Sequence, residues 1–165
     1  MTNTSRFHNV DINFLYIAGK NIAKHKYKND NPVFESEKLF DYLRDSIFPY
    51  LETEPQSLVI NHIEDSSKLG FKDVTPYKHV VSPVVNADSQ VIGLLAIASQ
   101  NFSVDFSNSD RNLLDVMSKK ASKIAQSHFD SLTGLENSNS FELIIKDFLN
   151  QTRGTDVNHA IANVD

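Results

Sequence analysis

Six histidines stand singly along the chain, at His8, His25, His62, His79, His128 and His159. The nearest approach to a cluster is His62 with Glu64, two apart and so on one face of a predicted strand. That pair reads as surface or strand-edge packing in preference to metal ligation. Cysteine is absent. Disulfides, thiolate nucleophiles, redox pairs and every metal site that needs sulfur are thereby removed, and a reducing compartment is permitted. Glycines occur only at positions 19, 70, 93, 134 and 154, which excludes a phosphate-binding loop, a dinucleotide fingerprint and a nucleophile elbow. No His-Glu-x-x-His occurs, and without cysteine the zinc-deaminase pattern fails too. The familiar catalytic signatures are missing.

Composition narrows the partners. With 16 basic and 21 acidic residues the net charge is −5, so there is no basic footprint for nucleic acid and none for an anionic membrane. An apolar content of 40% is enough to build a core. The longest apolar run, Val91 to Ala98, is too short to span a bilayer. Met1 to Arg6 has no apolar stretch behind its charge and does not read as a signal peptide, so a cytoplasmic location is expected. Asn3, Asn101 and Asn150 match the glycosylation pattern, which without a secretion signal is read as chance.

The elements that must position any site follow from periodicity. Asp11 to Ala18 and Ile22 to Tyr27 form a predicted hairpin around Gly19. Asn29 to Pro32 is a break. Glu35 to Tyr50 places Leu39, Phe40, Leu43, Ile47 and Phe48 at helical spacing, with Pro49 expected to end the helix. Ser57 to Ile63 reads as a strand, and Glu64 to Lys78 as a connection with little periodicity. His79 to Val85 is a strand in which Pro83 suggests a bulge or an edge. Asn86 to Gln90 supplies turn residues. Val91 to Ala98 is a strand buried on both faces, pairing with its predecessor at the centre of a sheet. Gly93 inside it leaves room for a neighbouring backbone or side chain. Ser107 and Asp110 fit a capping box. Leu113, Met117, Ala121, Ile124, Ala125 and His128 then form one stripe, with Arg111, Lys119, Lys120 and Lys123 largely off it. Phe141 to Leu149 suggests a further helix, and Ala160 to Val164 begins a strand.

Residues 8 to 128 resemble a GAF domain, a small sensory module of the GAF/PAS type. The resemblance rests on Ser82-Pro83-Val84-Val85, on Val91 to Ala98 with Gly93 inside, and on Phe106 and Asp110 leading into Leu113 and Leu114. It implies an α+β fold, an antiparallel sheet with flanking helices, and an exit signalling helix over about 107–129. It also implies a pocket beneath the connection from Ile63 to Lys78. The candidates to line that pocket are Tyr16, Tyr50, Ile60, His62, Tyr77, His79 and Val81, and the same aromatics would equally complete a small core. The absence of cysteine rules out a covalently held bilin and the members that reduce methionine sulfoxide. The Asn-Lys-x-Phe-Asp-Glu motif of cyclic-nucleotide-binding members is not found. No particular ligand is indicated.

A second resemblance begins at residue 130. Asp130-Ser131-Leu132-Thr133-Gly134-Leu135-Glu136-Asn137, with Phe141 beyond, resembles the opening of a GGDEF domain, the diguanylate cyclase fold. Ser138 and Asn139 replace the two arginines of the family pattern, which bears on cyclase competence. His159 to Val164 resembles the approach to the family's first metal-binding aspartate and places Asp165 there. The Gly-Gly-Asp/Glu-Glu-Phe signature is not in the chain. One carboxylate cannot hold two metal ions, so residues 130–165 are expected to be a catalytically inactive N-terminal fragment. A complete domain would imply Mg2+ and GTP.

The expectation is thus a sensory module, residues 1–128, fused to the start of a GGDEF domain, residues 130–165, in a bacterial regulator of cyclic di-GMP. A small-molecule ligand and a homodimer through the 107–129 helix are expected partners. Three alternatives stay open: part of an active cyclase, a degenerate GGDEF upstream of an EAL phosphodiesterase, and a ligand-free dimerisation domain.

Overall fold

Strands form where β-branched and aromatic residues alternate, and here they assemble around the most apolar of them. A computed structural model of the chain describes residues 10–19, 22–28, 35–73, 75–100 and 104–128. Five strands, β1 (Ile12–Ile17), β2 (Ile22–Tyr27), β3 (Leu58–Ile60), β4 (Tyr77–Val85) and β5 (Val91–Gln100), make one sheet in the order β2-β1-β5-β4-β3. All the pairings are antiparallel. Among the described residues four α-helices flank it: α1 (Ser36–Tyr42), α2 (Phe48–Thr53), α3 (Ile63–Lys68) and α4 (Asn108–His128). The fold is α+β, with the expected β1–β2 hairpin and β5 at the centre of the sheet.

The sheet buries both faces. Ile12, Phe14, Leu94, Ala96, Ala98, Tyr77 and Val81 pack with Leu39, Leu43, Ile47 and Leu51 from the α1–α2 layer. The alternate residues Leu15, Ile17, Val80, Val84, Leu95 and Ile97 pack with Leu114, Met117 and Ala121 of α4. Gly93 is where β1 comes closest: a Cβ there would lie 2.2 Å from the Tyr16 carbonyl oxygen and 2.7 Å from Ile17 Cδ1. No larger residue fits without moving β1.

Three expectations need correction. Pro49 does not end its helix. A π turn over Leu43–Ile47 links α1 to α2, Pro49 sits in the first turn of α2, and the helix runs on to Thr53. The wider π turn relieves the clash between a proline ring and the carbonyl four residues earlier, and the first turn needs no N–H from it. The connection after β3, read as having little periodicity, holds a helix that was not expected, α3. That helix is too short and too exposed, with Ile63 55% accessible, to leave an apolar period. The predicted strand to Ile63 therefore stops at Ile60, and His62 and Glu64 share no strand face.

Pro83 is both things it suggested. Beside it the β4–β5 register shifts between Val84 and Val85. β3 pairs only with His79, Val80 and Val81, so β4 has no strand on its outer side at Pro83 among the described residues. The join at His128-Phe129-Asp130 is described only as far as His128, where α4 ends. The helix expected over Phe141 to Leu149, the strand from Ala160 and Asp165 lie outside the described residues.

Candidate functional site

The pocket candidates divide. Ile60, Tyr77, His79 and Val81 point from β3 and β4 to the α1–α2 face, where Tyr16 and Tyr50 also pack. Tyr16 sits opposite Leu94 and against Phe48, ring centroids 5.2 Å apart. His79 faces Ala98, four residues further along β5, roughly 13 Å at strand spacing. Tyr16 therefore lines a different end of this face. Around His79 the neighbours form a chain of edge-on rings: Tyr42 at 5.4 Å from His79, Phe71 at 5.9 Å from Tyr42, and Tyr50 at 5.2 Å from Phe71. Tyr42 and Phe71, absent from the sequence candidates, are what joins Tyr50 to His79.

His79 is the polar centre of this group. Its ring is 1% exposed, and Nδ1 lies 3.0 Å from the Tyr77 carbonyl oxygen. A carbonyl only accepts, so Nδ1 carries the proton and Nε2 presents a bare lone pair. No donor meets Nε2 among the described residues. Burial holds the imidazole down to a pKa of about 4 against a weaker upward pull from the Tyr77 carbonyl, so the ring is neutral at physiological pH. Burial likewise pushes the Tyr42 and Tyr77 hydroxyls up, which leaves them protonated. The Tyr42 hydroxyl is 3.4 Å from Ser66 Oγ, on α3. The other unpartnered buried polar atom among the described residues, Asn13 Oδ1, alternates onto the α4 face of β1.

His62 is turned out of the group. Its side chain is 58% exposed, and Nε2 lies 3.3 Å from Asp105 Oδ2 on the lead-in to α4. Lys78 Nζ donates to the other oxygen of Asp105 at 2.6 Å and, with His62, holds that carboxyl below its ordinary range. The neighbouring Asn61 grips the same segment with both ends of its amide. Nδ2 donates to the Phe106 carbonyl at 2.9 Å, and Oδ1 accepts the Phe106 N–H at 2.8 Å. The Asp65 carboxylate in turn accepts the N–H groups of Asn61 and His62 at 3.2 and 3.0 Å. The short helix α3 thus touches the His79 group at Ser66, and the residues leading into it hold the start of α4.

α4 begins as expected, with Ser107 N–H on Asp110 Oδ2 at 2.7 Å. It is also fixed by a polar stripe that the apolar pattern did not announce. The Asp115 carboxylate accepts from Ser57 and from Ser82, the latter at 2.7 Å. Ser118 donates to the Pro83 carbonyl, Ser122 Oγ accepts the Val85 N–H at 2.9 Å, and the Gln126 amide reaches the Asn86 carbonyl at 3.2 Å. Asp115, Ser118, Ser122 and Gln126 recur at three or four residues, one side of the helix. No helix among the described residues is long and apolar enough to cross a membrane, and no three His, Cys, Asp or Glu side chains among them gather to hold a metal ion.

No known family profile matches the chain, and no curated protein does. Solved structures to which the chain is similar include the GAF domain/HD domain protein from Geobacter sulfurreducens, at 11% identity and TM-score 0.45 over 69% of this chain and 78% of that one. Another is the photoproduct state of GAF3 from Slr1393 of Synechocystis sp. PCC6803, at 13% identity and TM-score 0.46 over 88% and 89%. A red/green cyanobacteriochrome in its red light-absorbing state is similar at 17% identity and TM-score 0.43 over 72% and 83%.

Proposed function

We propose that this chain is the sensory and regulatory part of a bacterial cyclic di-GMP signalling protein. In this reading the region through residue 128 is a GAF-like sensor, and the segment from Asp130 opens a GGDEF output domain that works in the cytoplasm on GTP with Mg2+. The role of the chain itself is regulation rather than catalysis. A small molecule held against the α1–α2 face shifts α3, and α3 shifts the start of α4.

The observation that carries the reading is the double hydrogen bond of Asn61 with Phe106. It couples the segment beside the His79 group to a 21-residue helix whose last residue, His128, lies two before the Asp130 motif. Such a rigid element transmits a displacement without needing new contacts. Pairing of two copies along the outer side of α4 would bring two output domains together. Val116, 63% exposed on that helix, is the residue a twin helix would cover. The same exposed valine favours a second reading, a domain that only dimerises, under which nothing binds at His79.

The test uses the complete product of the gene. Asn61→Ala removes both bonds to Phe106 and leaves the ring cluster untouched. Cyclic di-GMP formed from GTP and Mg2+ is expected to change several-fold in the variant, at unchanged folded fraction. Unchanged output, or no cyclic di-GMP formation or turnover in the parent, overturns the proposal.

A further inference from the structure

We infer that His62 and Asp105 form a proton-sensitive clasp between the lead-in to α3 and the lead-in to α4, one that tightens as pH falls through the range where histidine gains its charge. The proton is a second input beside the one in the regulatory reading above, and its test does not depend on that reading.

Two neighbouring contacts cross this joint. The Asn61 amide binds the Phe106 backbone at 2.9 and 2.8 Å, and neither bond titrates. One residue on, His62 Nε2 lies 3.3 Å from Asp105 Oδ2. Lys78, whose side chain on β4 is only 9% exposed, donates to Asp105 Oδ1 at 2.6 Å. Lys78 first and His62 second hold that carboxyl below its ordinary range, so Asp105 stays ionised wherever histidine titrates. A carboxylate only accepts, so Nε2 carries the proton of the neutral ring and the second proton goes to Nδ1. The contact is thus a hydrogen bond from a neutral ring at high pH and from a cation at low pH, and the latter is the stronger.

The charges around the ring decide the sign. On α3 the Asp65 carboxylate accepts the His62 N–H at 3.0 Å, and Glu64 stands exposed beside it. Both favour a cation, as does Asp105. Lys78 opposes one, from the other oxygen of Asp105. β3 carries no charged residue. α4 opens with Asp110, bonded to Ser107 at 2.8 Å, and Arg111, which are of opposite sign. Three carboxylates against one ammonium leave the ring in a field that favours its proton. By linkage, a contact that favours the protonated ring is strengthened as pH falls and lost as it rises. His62 and Asp105 are both about half exposed, so the gain is that of a surface pair.

The test is amide exchange on the whole chain at pH 8 and pH 6, expressed as protection factors so that the intrinsic pH dependence of exchange cancels. The reporter is the Phe106 N–H, which Asn61 Oδ1 accepts. Its protection is expected to rise about threefold from pH 8 to pH 6. Acid acting through the buried His79 has the opposite sign and cannot produce that rise. His62→Gln keeps a side-chain donor that never charges, and Asp105→Asn keeps the shape without the charge. Each is expected to abolish the rise, and at exposed positions neither should unfold the chain. Protection in the unaltered chain that is flat or falls towards pH 6 overturns the inference without any variant. So does a rise that persists in either variant. The two proposals fail separately, because output that responds to Asn61→Ala while Phe106 ignores pH keeps the regulator and discards only the proton input.

Discussion

The two faces of one sheet are held by different means. On the α1–α2 side the contacts are apolar and aromatic, with Phe14, Phe40 and His25 stacked at 4.9 and 4.6 Å and Leu39, Leu43, Ile47 and Leu51 fully buried. Such packing is non-directional and can be rearranged around a guest. On the α4 side Leu114, Met117 and Ala121 supply burial, but Asp115, Ser118, Ser122 and Gln126 also fix the helix to Ser57, to β4 and to the turn after β4 at specified atoms. Directional bonds set a register that apolar packing alone leaves looser. A face that can repack suits reception, and a face in fixed register suits transmission. Three substitutions or conditions test that division, one striking both faces and two striking one each.

The largest effect is expected where the faces share a strand. Gly93→Ala places a methyl group 2.2 Å from the Tyr16 carbonyl, a backbone atom that cannot turn aside. β1 must move from β5, and both layers lose their floor together. Destabilisation of about 3 kcal/mol or more is expected, at the upper end of overpacking effects. Denaturant midpoints followed separately by tyrosine fluorescence, which reports the α1–α2 side, and by helical circular dichroism should fall together. A loss confined to one probe would show that the layers are independent of the strand they share.

Acid should strike the α1–α2 face alone. His79 titrates at about 4 when folded, against 6.5 for an unperturbed imidazole. Its contribution to stability is complete above pH 6.5 and is lost as pH falls towards 4, because the unfolded chain takes up a proton that the folded chain refuses. The difference corresponds to about 3 kcal/mol once pH reaches the folded value. Unfolding free energies of the chain between pH 7 and pH 4 should fall along that curve, and those of His79→Phe should lack this component. Parallel curves for the two proteins would show that the buried ring is not what acid attacks.

How much of this was legible in the sequence depends on the kind of signal each element leaves. α4 was readable twice, from its capping box and from an apolar stripe long enough to have a period. Its polar stripe was not, because Ser118 and Ser122 acquire meaning only opposite backbone groups that β3 leaves uncovered. The π turn before Pro49 leaves no pattern, so a proline that opens α2 looked like a stop. α3 carries an exposed Ile63 and spans six residues; its one cue was Asp65 three places after His62, with histidine outside the usual capping residues. His79 could be placed on the right face by alternation. Its tautomer and its bare Nε2 depend on a carbonyl two residues away and could only be seen in three dimensions. Asn61 gave no signal at all, since its partners are the backbone of residue 106.

The smallest effect is expected on the α4 face, and its reason lies in the bulge. The register shift at Val84/Val85 takes the Val85 N–H out of step with the ladder, and β3 has already ended at the level of Val81. Ser122 Oγ meets that N–H at 2.9 Å while donating to the Ser118 carbonyl at 2.8 Å, so one hydroxyl closes both bonds. Ser122→Ala removes an atom from a buried position without opening much space. A net loss of about 1 kcal/mol is expected. The more telling measurement is amide exchange, where Val85 should exchange faster by about the same free energy while His79 and Val81, paired with β3, keep their protection. If Val85 keeps its protection, the bulge is closed by the sheet and the helix is held by burial alone, which would make the two faces alike.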